Sequence, residues 1–214
     1  MPHTRLQVQA LDFAWPNGPS WCGWGAQLSP GVTALVGGES SGKTTVLRLL
    51  AAELRPTGGQ LTLNGAQAWG DGAQANPAYR SQVFWCDPAS TEHDALTGHG
   101  YLAMQQARCM AGPTTGWQAD ALAGHLEGLA LLQHLDKPLY ALSTGTRRKL
   151  RWAAAFASGA ALTLLDDPFA ALDRASINHV LETLDELSDS AYRVVVVAGY
   201  EPPPGVPLVG TISL

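Results

Sequence analysis

A glycine-rich stretch in the first quarter of the chain carries the residue types that bind nucleotide phosphates. Residues 37–44 read Gly-Gly-Glu-Ser-Ser-Gly-Lys-Thr and satisfy the P-loop pattern G-x-x-x-x-G-K-[ST]. Backbone N–H groups of such a loop bind phosphate oxygens, Lys43 reaches the β- and γ-phosphates, and the Thr44 hydroxyl can ligate Mg²⁺. The residues expected to contact the nucleotide are Gly37, Gly38, Glu39, Ser40, Ser41, Gly42, Lys43, Thr44 and Thr45.

Two adjacent carboxylates follow an apolar run later in the chain. Residues 161–165 read Ala-Leu-Thr-Leu-Leu and are followed by Asp166, Asp167 and Pro168. Carboxylates in this position lie at the C-terminal edge of a buried strand, where ligands bind in open α/β sheets. Asp166 is therefore the predicted partner of Thr44 at the metal ion. The simpler alternative is that an aspartate here only caps the following turn.

The elements around these motifs predict an α/β fold. Residues 32–36 form a short, β-branched apolar run, typical of a buried parallel strand, and residues 46–54 have helical spacing. A hairpin turning at residues 16–19 predicts an N-terminal antiparallel part. The other predicted strands are residues 6–13, 60–64, 82–86, 162–166 and 193–198, and the other predicted helices are residues 96–135, broken at 112–113, and residues 144–158 and 176–187.

This order of elements predicts one domain over residues 1–214. Its core is a P-loop NTPase fold with a mainly parallel sheet, and a helical lobe is inserted at about residues 88–145.

Composition and charge exclude several classes of protein. The chain is 46% hydrophobic and 14% charged, so it is not expected to be disordered, and its net charge of −5 argues against nucleic acid as a partner. The three cysteines form no CxxC pair, which favours a reducing compartment. The first ten residues lack the apolar stretch of a secretion signal, and no apolar tract reaches the roughly 20 residues that span a bilayer. We therefore expect a cytoplasmic protein.

Three further motifs accompany the P-loop and the paired aspartates. Residues 142–146 read Leu-Ser-Thr-Gly-Thr, residues 171–173 read Ala-Leu-Asp, and Trp15 precedes the P-loop. These motifs resemble the LSGGQ signature, the D-loop and the adenine-stacking aromatic residue of ATP-binding cassette (ABC) ATPases, the nucleotide-binding subunits of ABC transporters. The resemblance covers nearly the whole chain.

The resemblance implies cofactors, partners and a location. ATP and Mg²⁺ would be the cofactors, and a separate membrane-spanning subunit would hold the chain at the cytoplasmic face of the membrane. Two such ATPase chains dimerise head to tail, so that the Ser143 hydroxyl and the Gly145 N–H would face the γ-phosphate held by the other chain. Alternatively, Ser143 only caps its helix and Trp15 only packs in the hairpin.

Two positions depart from the family pattern where water is activated. Asp167 stands where the family usually carries a glutamate that polarises the attacking water, and its side chain is shorter by one C–C bond of about 1.5 Å. Tyr200 stands at the position of the family's switch histidine, and a phenol does not titrate near neutrality as an imidazole does. The candidate catalytic residues are Asp167, Tyr200 and Lys43, and we expect slow hydrolysis.

Other departures lie in two loops. The loop after residues 82–86 begins with a glutamine in the family, and here either Cys86 or Asp87 stands in its place. Ser40 replaces a usual glycine, and Glu39 adds a negative charge beside the phosphates.

The sequence supports two functions of different kinds. The first is a hydrolysing ATPase subunit that drives transport through a membrane partner. The second is a catalytically impaired ATP-binding module that completes a partner cassette's site in a heterodimer, and a non-transport ABC protein is a further alternative.

Overall fold

The fold places two β-sheets and several helices around the P-loop. The computed structural model describes residues 5–15, 20–111 and 116–214; the predicted turn at residues 16–19 and the helix break at residues 112–113 lie outside these ranges. The strands are β1 (Leu6–Ala14), β2 (Ser20–Leu28), β3 (Gly31–Val36), β4 (Gly58–Leu63), β5 (Ala66–Gln67), β6 (Val83–Trp85), β7 (Leu162–Asp166), β8 (Val194–Gly199) and β9 (Gly210–Ser213). The α-helices are α1 (Lys43–Leu50), α2 (Pro77–Arg80), α3 (Gly98–Met110), α4 (Ala119–Gly128), α5 (Thr144–Ala157) and α6 (Arg174–Ser188).

The larger sheet is parallel and carries the site. Its strand order is β6-β7-β8-β3-β9, and all of its neighbouring strands pair in parallel. The smaller sheet is antiparallel, in the order β2-β1-β4-β5. The predicted α/β class, with a parallel core and an N-terminal antiparallel part, is confirmed.

One apolar core joins α1 to both sheets. Val46, Leu47, Leu49 and Leu50 of α1 are buried and share a cluster with side chains of β1, β4, β7 and β8. Because α1 is buried on several sides, its position is fixed, including that of its first residue, Lys43.

A second apolar core covers the other face of the parallel sheet. Val195 and Val197 of β8 belong to it, whereas Val194 and Val196 belong to the first core, as the alternation of side chains along a strand requires. Helices α3, α4, α5 and α6 supply most of its remaining residues. Strands buried on both faces read as continuous apolar runs, which is why β3, β7 and β8 were predictable.

The helical segment lies between β6 and β7 in the chain, as predicted. Helices α3 and α4 pack on α5, which follows them. The outline of a separate lobe over residues 88–145 stays a prediction, because these helices share one continuous core with the parallel sheet.

Several elements differ from the sequence prediction. Strands β5 and β9 and helix α2 were not predicted, and the helix predicted to extend to residue 135 ends at Gly128. Helix α1 ends at Leu50 rather than near Leu54, because Ala52 adopts a left-handed φ of 54° and the Glu53 N–H donates to the Arg48 carbonyl at 2.9 Å. Strand β9 was not predicted, because its short, half-exposed sequence has no apolar run. Its position is decided by parallel pairing with β3.

Among the residues that the structure describes, no helix has the length and apolar character needed to cross a bilayer.

Candidate nucleotide-binding site

The P-loop, residues 37–45, connects β3 to α1 at the C-terminal edge of the parallel sheet. Gly42 caps α1 with a φ of 100°, a left-handed conformation that favours glycine. A Cβ on Gly37 would lie 2.4 Å from the Ser41 Oγ, so the loop could not close around a larger residue. Ser40 also has a left-handed φ, 58°, which explains why glycine is usual at this position in the family. Glu39 is exposed, so solvent screens its charge.

Lys43 curls back over the loop that precedes it. Its ammonium donates hydrogen bonds to the carbonyls of Gly37 and Gly38 at 2.8 and 2.6 Å. The ammonium also lies 4.8 Å from the centre of the Tyr200 ring. The positive charge of Lys43 therefore lies beside the carbonyls of the P-loop.

The predicted metal partners meet. Thr44 and Asp166 are far apart in sequence, yet the Thr44 Oγ1 donates to the Asp166 Oδ2 at 2.6 Å. Asp166 is only 7% exposed, and burial raises the pKa of its carboxyl, an effect that the Thr44 bond opposes. A hydroxyl and a carboxylate are the hard oxygen donors that Mg²⁺ accepts beside phosphate and water. The donor set therefore fits Mg²⁺.

Trp15 lies beside the P-loop with its ring fixed. Its indole N–H donates to the Thr45 Oγ1 at 3.1 Å, and its ring meets Phe13 edge-on with centroids 5.3 Å apart. Trp15 is 38% exposed, so part of the indole remains available to a ligand. This geometry is compatible with base stacking.

Asp167 and Tyr200 lie where neighbouring strands end. The Asp167 N–H donates to the Ala198 carbonyl at 2.9 Å, and Asp167 has a left-handed φ of 46°. The Gly37 N–H is 3.3 Å from the Gly199 carbonyl, which it donates to. These hydrogen bonds connect the end of β8 to the P-loop on one side and to the residue after β7 on the other.

Ser143 and Gly145 form the start of α5. The Ser143 Oγ accepts the Thr146 N–H at 3.1 Å and therefore caps the helix. A Cβ on Gly145 would lie 2.3 Å from the Ala171 carbonyl oxygen, so glycine lets α5 approach the loop after β7. Within the described parts of the chain, Ser143 makes no hydrogen bond to its own P-loop.

The profile of the ABC transporter family matches residues 26–170, which is more than half of the chain. The chain belongs to the ABC transporter family. It is 33% identical over 173 residues to the molybdenum import ATP-binding protein ModC of Rhodobacter capsulatus, an alignment that covers 80% of this chain and 46% of ModC. It is also 33% identical over 160 residues to the cytochrome c biogenesis ATP-binding export protein CcmA of Pseudomonas syringae pv. tomato, covering 75% of this chain and 71% of CcmA.

Solved structures support the ABC ATPase fold. An ABC transporter ATP-binding protein from Pyrococcus furiosus superposes with a TM-score of 0.74 over 98% of this chain and 97% of that one, at 21% identity. The alignment spans less than half the length of ModC.

The two candidates for the position of the family's glutamine turn to different surroundings. The Cys86 Sγ lies 3.0 Å from the Tyr101 hydroxyl of α3, and burial raises the pKa of the Cys86 thiol. Asp87 accepts the Ala89 N–H at 2.8 Å and stabilises its own turn. The side chain of Cys86 therefore contacts the helical segment, whereas that of Asp87 contacts its own loop.

Sequence reasoning missed the role of the basic residues in α5. Arg147 pairs with Asp94 at 3.1 Å, and Arg151 donates to the carbonyls of Pro88 and Ser90 at 2.8 and 2.7 Å. These bonds attach the helix that follows the ABC signature to the loop that follows β6. The only signal in the sequence was the basic run after residue 146, and it did not identify the partners.

Two other basic residues of α5 hold the D-loop. Arg148 donates to the Ala170 carbonyl at 2.6 Å, and Lys149 pairs with Asp173. The Lys149 ammonium and the Ser176 N–H hold the pKa of the Asp173 carboxyl well below its usual range. Helix α5 therefore contacts both loops that flank the parallel strands β6 and β7.

Proposed function

We propose that this chain is an ATPase subunit of an ABC transporter, which binds MgATP at its P-loop and drives a separate membrane-spanning partner. The observation that carries the proposal is the meeting of Thr44 and Asp166 at 2.6 Å, with Lys43 on the same loop. Cation, hydroxyl and carboxylate are thereby collected at one edge of the sheet, which is the arrangement that nucleoside triphosphate binding requires.

Each residue has a proposed role in binding. The P-loop N–H groups and Lys43 hold the phosphates, Trp15 stacks on adenine, and Thr44 and Asp166 hold Mg²⁺. A Mg²⁺ ion held by these residues would supply positive charge that neutralises the charge developing on the phosphates. The Thr44 oxygen donates its proton to Asp166 and so keeps lone pairs that could bind the metal.

We propose that Asp167 accepts the proton of the attacking water and does so poorly. A general base must lie within about 2.6–3.2 Å of the group that it deprotonates, and the side chain of aspartate is shorter than that of glutamate. The hydrogen bond from the Asp167 N–H to the Ala198 carbonyl restrains the backbone from which this short side chain extends. Slow turnover follows.

The proposed assembly contains a second ABC ATPase chain as well as the membrane partner. The departures Asp167 and Tyr200 belong to the half-site that binds ATP in this chain, whereas Ser143 and Gly145, which serve the opposite site, are retained. This favours a heterodimer in which the partner cassette hydrolyses ATP, with a hydrolysing homodimer as the alternative. The similarity to ModC, an import ATP-binding protein, and to CcmA, an export ATP-binding protein, supports a location at the cytoplasmic face of a membrane.

Calorimetry of the purified chain with MgATP tests the proposal. Lys43→Ala should weaken binding by about 1.5–3 kcal/mol, the usual contribution of a charge-assisted hydrogen bond. Lys137→Ala, at an exposed lysine remote in sequence from the P-loop, is the matched control and should bind as the unmodified chain does. Equal affinities of the Lys43→Ala and unmodified chains would contradict the proposed site.

A further inference from the structure

Tyr200 contacts the P-loop lysine with its ring. The Lys43 ammonium lies 4.8 Å from the ring centroid, within the roughly 6 Å over which an ammonium and an aromatic face attract each other. The same ammonium donates to the Gly37 and Gly38 carbonyls. The Lys43 ammonium therefore contacts two carbonyls and one aromatic face at the same time.

The backbone fixes the place from which this ring extends. The N–H of Gly37 donates to the carbonyl of Gly199, and the N–H of Asp167 donates to the carbonyl of Ala198. The end of β8 is thus attached to its neighbours on both sides. Tyr200 is the next residue in the chain, so its ring extends toward Lys43 from a hydrogen-bonded stretch of backbone.

The hydroxyl of Tyr200 has no comparable contact. Across residues 5–15, 20–111 and 116–214, no hydrogen bond from this hydroxyl occurs, and Tyr200 is 63% exposed. Among the described residues, the electrostatic contact of this side chain is therefore the one between its ring and the Lys43 ammonium.

We propose that Tyr200 is a positioning residue that acts on the nucleotide through Lys43, with its ring and without its hydroxyl. The inference rests on the proposed binding of MgATP at the P-loop. A lysine side chain that is already ordered loses less conformational entropy when it binds phosphate. A phenol side chain carries no basic nitrogen, so the ring never places a second cation beside Lys43, as a protonated histidine would.

The first experiment separates the ring from the hydroxyl. MgATP affinity is measured by calorimetry for the full chain, Tyr200→Phe, Tyr200→Leu and Tyr192→Leu, the last a control at an exposed tyrosine before the opposite end of β8. Tyr200→Leu should bind about 2- to 5-fold more weakly, the size of an exposed cation–π contact. Tyr200→Phe keeps the ring and should therefore retain most of the MgATP affinity that Tyr200→Leu loses, whereas Tyr192→Leu should bind as the unmodified chain does.

A second experiment tests whether the effect passes through Lys43. In the Lys43→Ala background, Tyr200→Leu should cause no further loss of affinity, because the partner of the ring is absent. A merely structural role of Tyr200 would give the same loss in both backgrounds.

Several results would overturn the inference. If Tyr200→Phe loses as much MgATP affinity as Tyr200→Leu, the role belongs to the hydroxyl. Unchanged or tighter binding by Tyr200→Leu would mean that the ring does not prepare Lys43 for phosphate. If the unmodified chain binds no MgATP, the proposed function fails together with this inference, whereas binding that Tyr200→Leu leaves unchanged overturns this inference alone.

Discussion

If Asp167 is the proposed base, a single methylene group would separate ATP binding from ATP hydrolysis. The residues proposed to hold phosphate and metal, Lys43, Thr44 and Asp166, lie together and have the chemistry that binding needs. The proposed base has its backbone bonded to Ala198, but its carboxylate is short. Binding and turnover should therefore respond to different substitutions.

Asp167→Glu should raise the turnover of the purified chain by about tenfold, because a well-placed general base contributes typically 10²–10⁴-fold and the substitution restores only reach. The measurement is phosphate release at saturating MgATP, with Asp167→Asn as the comparison that removes the base. The left-handed φ of 46° disfavours glutamate by about 1 kcal/mol relative to unstrained backbone, so thermal unfolding is followed in parallel. Unchanged turnover in a folded, ATP-binding Asp167→Glu chain would exclude the short side chain as the cause of slow hydrolysis.

At the scale of elements, α5 is the part of the molecule that connects the loops around the site. Its N-terminus carries the residues that resemble the ABC signature, and its basic residues contact the loop after β6 and the D-loop after β7. A displacement of α5 would therefore move both loops together. Helices α4 and α6 contact each other on the same face of the sheet through His125 and His179, whose ring nitrogens are 3.0 Å apart.

The stability of this helix pair should depend on pH. Burial first, then His179 and Arg193, lowers the pKa of His125 to about 4 in the folded chain, against about 6.5 when unfolded. Between these values the unfolded chain binds more protons, so the free energy of unfolding should fall as pH falls from about 6.5 to 4. We expect a loss on the order of 1 kcal/mol, since the His125 ring is only partly buried.

Thermal unfolding of the unmodified chain and of His125→Phe, measured from pH 7 to pH 4, checks this dependence. The unmodified chain should lose more stability on acidification than His125→Phe does. His99→Gln, at an exposed histidine of α3, serves as the control and should keep the full dependence. Identical slopes for all three chains would show that His125 does not control it.

At the scale of the whole molecule, the proposed roles would give one chain parts of two different ATP sites. The P-loop, Asp166 and Asp167 would form one half-site, whereas Ser143 and Gly145 lie at the start of α5, and within the described residues Ser143 makes no hydrogen bond to the P-loop. The proposed heterodimer would use the first half-site for stable binding and the second to complete the partner's active site.

Substitutions in the purified complex with its membrane and cassette partners test this asymmetry. Ser143→Arg should remove most turnover by placing bulk and positive charge where the partner's γ-phosphate is bound, whereas Asp167→Asn should change turnover little. Ser143→Asp retains a helix-capping side chain but repels phosphate, so an equal loss there separates the effect from lost capping. If Asp167→Asn reduces turnover as much as Ser143→Arg does, the hydrolysing homodimer is favoured. The same holds if the complex contains this chain as its sole type of cassette.

Local patterns in the sequence determined the P-loop, the strands β3, β7 and β8, and the helices α5 and α6, because a loop that follows a buried strand and an amphipathic helix each depend on neighbouring residues. The pairing of Thr44 with Asp166 was also predictable, since parallel strands end at the same edge of a sheet. Family resemblance, rather than spacing, suggested the roles of Asp167, Ser143 and Gly145, and those roles stay predictions.

Contacts between residues distant in the chain were decided only by the tertiary structure. No local sequence pattern predicts the contact of the Tyr200 ring with Lys43, the hydrogen bonds of α5 to two loops, or the edge strand β9. The same holds for Arg193, whose buried guanidinium donates to the carbonyls of Ala155 and Phe156 and to Thr163, although charged residues are usually exposed. Such contacts depend on which elements pack together, and that depends on the whole core rather than on any segment of the sequence.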